Sequence, residues 1–183
     1  FRSLAAGRNA IWSASVDSRN EVVVAGTSDG AIGVWSMRAQ RWDGRLSAGS
    51  GRVWSVSVGG GFVGTACSDR TIRLRSRTDG NEVVLSDGER AWAVEVSASG
   101  AYVAGSTIRG KISVWDTSTA SRLWTNDFHA GRVRSIAISG DDRYVLTGAG
   151  DGVVRLWDLI SGEVVHTSDG IGGWVRSVAL SRD

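Results

Sequence analysis

The sequence repeats with a period of about forty residues, and no other feature limits the fold as much. Ile11-Trp12-Ser13, Val53-Trp54-Ser55, Ala91-Trp92-Ala93, Val133-Arg134-Ser135 and Val175-Arg176-Ser177 form one series, with third residues 42, 38, 42 and 42 apart. Val34-Trp35-Ser36, Leu74-Arg75-Ser76, Val114-Trp115-Asp116 and Leu156-Trp157-Asp158 form a second, spaced 40, 40 and 42. Two independent anchors share one period, so the recurrence is not chance. The stretch His129–Asp158 is the clearest copy. Its apolar segments Val133–Ile138, Tyr144–Thr147 and Val153–Trp157 are separated by Gly140-Asp141-Asp142 and by Gly148-Ala149-Gly150-Asp151-Gly152, both strong turn chemistry. Glu163–His166 follows Ser161-Gly162 as a fourth segment. Four short strands joined by tight turns make one antiparallel meander.

The expected units are residues 10–46, 52–85, 91–125 and 132–166, with an outer strand over 1–4 and an inner strand over 173–180. Such a unit cannot bury both of its faces alone, so stacked neighbours must supply the core. The expected fold is all-β: four complete four-stranded antiparallel blades of a β-propeller, plus one extra strand at each end. The residues resemble the WD-repeat (WD40) family. The resemblance covers nearly all of residues 1–183 and is strongest in Val153-Val154-Arg155-Leu156-Trp157-Asp158 and Ser68-Asp69-Arg70-Thr71-Ile72-Arg73-Leu74. Propellers of that family are rings of about seven blades. A closed ring is therefore not expected from these residues, and further blades from the same chain or another subunit should cover the open faces.

Bulk properties exclude several classes. An apolar content of 42% suits a globular chain. A net charge of +2 argues against a strong general pull on nucleic acid. Lys111 is the one lysine; the other basic residues are arginine, suited to bidentate carboxylate or phosphate contacts. Cys67 stands alone, which precludes an internal disulfide and is compatible with a reducing, cytoplasmic setting. No apolar run approaches the ~20 residues of a membrane span. The chain begins at Phe1 and shows no signal-peptide pattern, as expected of an excerpt from a longer protein.

The first strands depart from strict alternation. Their apolar anchors fall at Val53, Val56 and Val58, at Val133, Ile136 and Ile138, and at Val175, Val178 and Leu180, so the first step is three. A bulge at the second and third residues would restore the facing. It lifts out Trp12, Trp54, Trp92, Arg134 and Arg176, beside Arg52, Arg90, Arg132 and Trp174. The resemblance implies that this end of the first strands lies beside the central channel, on the face most used for partners. Tryptophan and arginine dominate interface hot spots and stack on one another. These nine residues are the candidate partner-binding rim; packing of tryptophans between blades is the structural alternative.

The resemblance also implies a hydrogen-bonded tetrad of His129, Thr147, Asp151 and Trp157. A tetrad locked in a blade lacks oxyanion donors and a substrate cleft, so no catalysis is expected of it. The other copies are degenerate: blade one keeps Asp29 and Trp35, with Arg8 or Asn9 near the histidine's place; blade two keeps Asp69 but has Arg75 for the tryptophan; blade three keeps Trp115 but has Ile108-Arg109-Gly110 for the aspartate turn. Two histidines and one cysteine, widely spaced, give no metal-ligand cluster, and no cofactor is expected. Gly59-Gly60-Gly61 has no following helix to receive a phosphate and reads as a turn. The family's usual Ser-Pro-Asp turn is absent, since the chain has no proline. The functional expectation is a non-enzymatic scaffold that presents the Trp/Arg rim to a protein or peptide. The alternatives are a regulatory domain of a larger NTPase, kinase or protease, and a site for nucleic acid or another anionic ligand.

Overall fold

The structure is a computed structural model that describes residues 9–85, 88–170 and 172–181. Its described residues form sixteen strands and no helix. Blade one holds β1 (Ile11–Asp17), β2 (Val22–Thr27), β3 (Ala31–Ser36) and β4 (Arg41–Ser47). Blade two holds β5 (Val53–Gly59), β6 (Phe62–Cys67), β7 (Ile72–Ser76) and β8 (Glu82–Leu85). Blade three holds β9 (Ala91–Val96), β10 (Tyr102–Thr107), β11 (Ile112–Asp116) and β12 (Arg122–Asn126). Blade four holds β13 (Val133–Ile138), β14 (Tyr144–Ala149), β15 (Val154–Asp158) and β16 (Val164–Thr167). Each is a four-stranded antiparallel meander in chain order.

The core lies between blades. One cluster joins Val22, Val24, Ile32 and Val34 of blade one to Val53, Val56, Val58 and Val63 of blade two. A second joins Ala66, Ile72 and Leu74 of blade two to Val94, Val96, Val103 and Trp115 of blade three. A third joins Ala104, Ile112, Val114 and Trp124 of blade three to Val133, Ile136, Val145 and Trp157 of blade four. Each fully buried aliphatic side chain contributes about 1.5–3 kcal/mol. Stacking therefore supplies the stability that a lone sheet lacks.

Close approach demands small residues. Gly26 of β2 faces Ser13, and Gly148 of β14 faces Ser135. A Cβ on Gly26 would lie 2.6 Å from Val53 Cγ1 and 2.8 Å from Val56 Cγ1. A Cβ on Gly148 would lie 2.4 Å from Val175 Cγ1 and 2.7 Å from Val178 Cγ1. Serines lace the first strands together. Ser13 Oγ accepts from Val56 N–H (3.1 Å), Ser55 Oγ from Val94 N–H (3.3 Å), and Ser135 Oγ from Val178 N–H (3.1 Å).

The inner strands surround a shared centre, because β1, β5, β9, β13 and residues 178–180 all line one cavity. Residues 173–180, where an inner strand is expected, are not a strand, though residues 178–180 lie beside the same centre. They form no ladder, since no second strand lies beside them among the described residues; Val175 N–H donates to Ala149 O at 3.0 Å instead. The outer strand expected over residues 1–4 falls outside the described residues.

Candidate functional site: the bulged ends of the inner strands

All four inner strands shift register where the three-residue step stood in the sequence: between Ile11 and Ser13, Val53 and Ser55, Ala91 and Val94, and Val133 and Ser135. An extra residue bends the strand and frees a side chain from the ladder. The freed residues include Trp12, Trp54, Trp92 and Arg134.

The rim residues stack from blade to blade under one rule. The residue just before each anchor lies over the bulge residue of the preceding blade, 40 positions earlier in the chain. Arg52 lies 4.5 Å from the centroid of Trp12, Arg132 lies 4.1 Å from that of Trp92, and the Arg134 guanidinium lies 4.6 Å from that of Trp174. In the last pair arginine and tryptophan have exchanged places. Arg52 also touches Trp54, at 4.9 Å, and Trp12 meets Trp54 edge-on at 5.6 Å. Arg176 is exposed and lies over no ring among the described residues. Trp174 is 62% exposed and Trp12 49%, whereas Trp54 and Trp92 are half-buried.

The rule is broken between blades two and three. The spacing there is 38 rather than 42, and Arg90 does not lie over Trp54. Trp54 stacks instead on Trp92, with centroids 4.8 Å apart and planes 25° apart. A cavity of about 470 Å³ opens beside them, lined by Trp54, Ser68, Arg90, Trp92, Ile108 and Arg132. A recess of about 380 Å³ adjoins it through Arg90 and Ile108 and brings in Arg70 and Arg109. The buried Nε–H groups of Arg52 and Arg134 have no partner among the described residues.

The tetrad is assembled in blade four. Trp157 Nε1–H donates to Thr147 Oγ1 (2.9 Å), Thr147 Oγ1 lies 2.8 Å from His129 Nε2, and His129 Nδ1 lies 2.9 Å from Asp151 Oδ2. The indole donates to the hydroxyl and the hydroxyl to Nε2, while Nδ1 lies between the Asp151 carboxylate and the Arg155 guanidinium, whose Nη1 is 2.6 Å from it. Burial pushes the His129 pKa down, against the pull of Asp151, so a neutral ring fits the site. Burial would raise the Asp151 carboxyl, but hydrogen bonds from His129 and from the Val153 and Ala130 amides outweigh it and hold the pKa low. The imidazole is wholly buried, so no substrate atom can reach it.

The first three blades fill the same places differently. Asn9 Nδ2 donates to Asp29 at 2.8 Å in blade one; Arg8 lies outside the described residues. In blade two Gly49 leaves the imidazole's place empty, and the Arg73 guanidinium enters it. Arg73 binds Asp69 (2.9 Å), Ala48 O (2.5 Å) and Thr71. Arg75, at the tryptophan's place, pairs with Glu82 at 2.7 Å. In blade three Thr107 donates to Glu89 at 2.9 Å, and Lys111 closes on Glu89 at 3.5 Å.

A family model described as WD domain, G-beta repeat, matches residues 121–158. That span holds β12 to β15 with the whole tetrad, and the other three sheets repeat its topology. Residues 121–158 thus carry a WD repeat, and the four antiparallel four-stranded sheets are consistent with WD-repeat propeller blades. The matched span is the repeat that keeps His129, Thr147, Asp151 and Trp157 together, while the three WD-like blades before it have lost one or more of them. Comparison with curated proteins gives no match. WD-repeat domains are in general non-catalytic modules that bind proteins or peptides. No helix among the described residues is long and apolar enough to cross a membrane.

Proposed function

We propose that this WD-repeat chain is a non-catalytic interaction module whose contact site is the Trp/Arg rim, centred on the cavity between blades two and three. One observation carries the reading: the arginine-over-tryptophan rule holds at three blade junctions and fails at the one where a cavity opens. There the indoles of Trp54 and Trp92 and the side chains of Arg90 and Arg132 border one recess. Such a recess suits an apolar or aromatic side chain next to a carboxylate, because the rings supply area and the arginines supply paired donors. The partner is thus an extended peptide segment with an acidic residue beside an apolar one. Arg70 and Arg109 in the adjoining recess extend the preference for negative charge.

The test is fluorescence-polarisation titration with labelled peptides from a library of acidic–aromatic sequences. Trp54→Ala and Arg132→Ala are each expected to weaken the best binder at least tenfold, about 1.4 kcal/mol. Unchanged binding in both variants would place the site elsewhere. Oligonucleotides bound in preference to every peptide, with affinity falling steeply in salt, would favour the anionic-polymer reading instead.

A further inference from the structure

The first strands carry a second feature at their opposite ends. One register position reads Ser15, Ser57, Glu95, Ala137 and Ala179, with the same 42, 38, 42, 42 spacing as the anchors. Ser15 faces Val24, Ser57 faces Gly64, Glu95 faces Ala104 and Ala137 faces Leu146, so the four ladders place them alike. Ser15, Glu95, Ala137 and Ala179 all line the axial cavity, of about 290 Å³. Small side chains at four of the five places leave room around the axis, and Glu95 is the one long, ionisable side chain in the set.

Most of the remaining lining is aliphatic: Val16, Val58, Val96, Ile136, Ile138 and Leu180. Three lining groups carry charge: Asp17, Arg19 and Glu95. Asp17 is consumed locally, accepting from the Arg19 and Asn20 amides at 3.0 and 3.2 Å and from the Asn20 side chain at 2.6 Å. Arg19 is exposed at the mouth. The Ser57 hydroxyl lies near Glu95, where it lowers the carboxyl's pKa, and accepts from Val96 N–H at 2.9 Å. One hydroxyl leaves most of the carboxylate's acceptor capacity open toward the cavity.

We propose that the axial cavity is a binding site for a single alkylammonium group, with Glu95 as its counter-ion and the aliphatic walls around its carbon chain. A lone carboxylate among apolar walls suits one monovalent organic cation and lacks the several oxygens that calcium or magnesium requires. Burial supports this, since it pushes the Glu95 carboxyl up to about 7 against the weaker pull of Ser57. A bound cation would remove that penalty and keep the group ionised. The ammonium can come from a free amine or from a lysine side chain of a partner. The site faces away from the Trp/Arg rim and does not depend on it.

The experiment is NMR titration of the protein with n-butylammonium, with neutral 1-butanol as control. Saturable shifts of the Ala137 and Ala179 amides are expected at pH 8. Affinity at least tenfold weaker is expected at pH 5.5, where Glu95 is protonated, and in Glu95→Gln at pH 8. A blocked lysine tripeptide that binds more tightly than butylammonium would assign the ligand to a partner's lysine; tighter free amine would assign it to a small metabolite. Absence of saturation at pH 8, equal binding of 1-butanol, or full affinity in a folded Glu95→Gln would overturn the proposal.

Discussion

Thr65 stands in β6 where Thr147 stands in β14, yet only Thr147 has hydrogen-bond partners for its hydroxyl. Thr65 faces Val56 and Arg73 across its two ladders; Thr147 faces Ile136 and Arg155. Thr147 Oγ1 joins His129 to Trp157, whereas Thr65 Oγ1 is buried without a partner among the described residues. Gly49 and Arg75 hold the two places from which those partners have gone.

Opposite responses to one substitution follow. A buried hydroxyl left unpaired costs about 1–3 kcal/mol. Thr65→Val should stabilise the protein by roughly 1 kcal/mol, while Thr147→Val should destabilise it by roughly 1–3 kcal/mol through the orphaned imidazole and indole. Urea denaturation of both variants checks the pair.

Gly26 is held small by the next blade. Gly26→Ala should cost about 1–3 kcal/mol, since the new methyl meets the Val53 and Val56 side chains. Gly44→Ala in the outer strand β4 has nothing within 4 Å and should be neutral or mildly stabilising. Thermal denaturation of the two variants gives the comparison.

Half-buried Glu95 and buried His129 tilt stability with pH in opposite directions. Glu95 is raised from 4.5 to about 7, so the fold prefers its neutral form. Its contribution is full below pH 4.5 and declines as pH rises to about 7, by on the order of 3 kcal/mol. His129 is lowered from 6.5, so the fold again prefers the neutral form, but its contribution is full above pH 6.5 and declines as pH falls toward the depressed folded value. Stability of wild type minus that of Glu95→Gln, measured by denaturant titration from pH 4.5 to 8, should fall with rising pH. The nitrogen shifts of His129 should report a neutral ring at pH 6.

Much of this was legible in the chain. The two anchor series located the blades because strand stacking needs the same residue types at each turn of the repeat. The three-residue step located the bulges because facing must be kept. His129, Thr147, Asp151 and Trp157 could be paired because all four survive in one copy. What stayed hidden depends on contacts between blades. The serines at the third anchor position were visible as a column, but their bonds to Val56, Val94 and Val178 exist only once the next strand is in place. Nothing in the sequence sets Arg73 apart from the other strand arginines, because the hole it fills is left by Gly49 of the preceding loop. Glu95 could have been found by extending the anchor columns two residues, where it is the single charge. Arg90 and Arg132 look equivalent in sequence, and only the shorter spacing of 38 sets apart the junction where Trp54 stacks on Trp92 rather than beneath an arginine of the next blade.

The deciding measurement is a set of proton NOEs from the methyl groups of Val53 and Val56 to Gly26 Hα, and from those of Val175 and Val178 to Gly148 Hα. Strong cross-peaks in both sets are expected, because each glycine receives the first strand of the following blade. Intact ladders within each sheet with neither set of cross-peaks would contradict a core built by stacking blades around one axis.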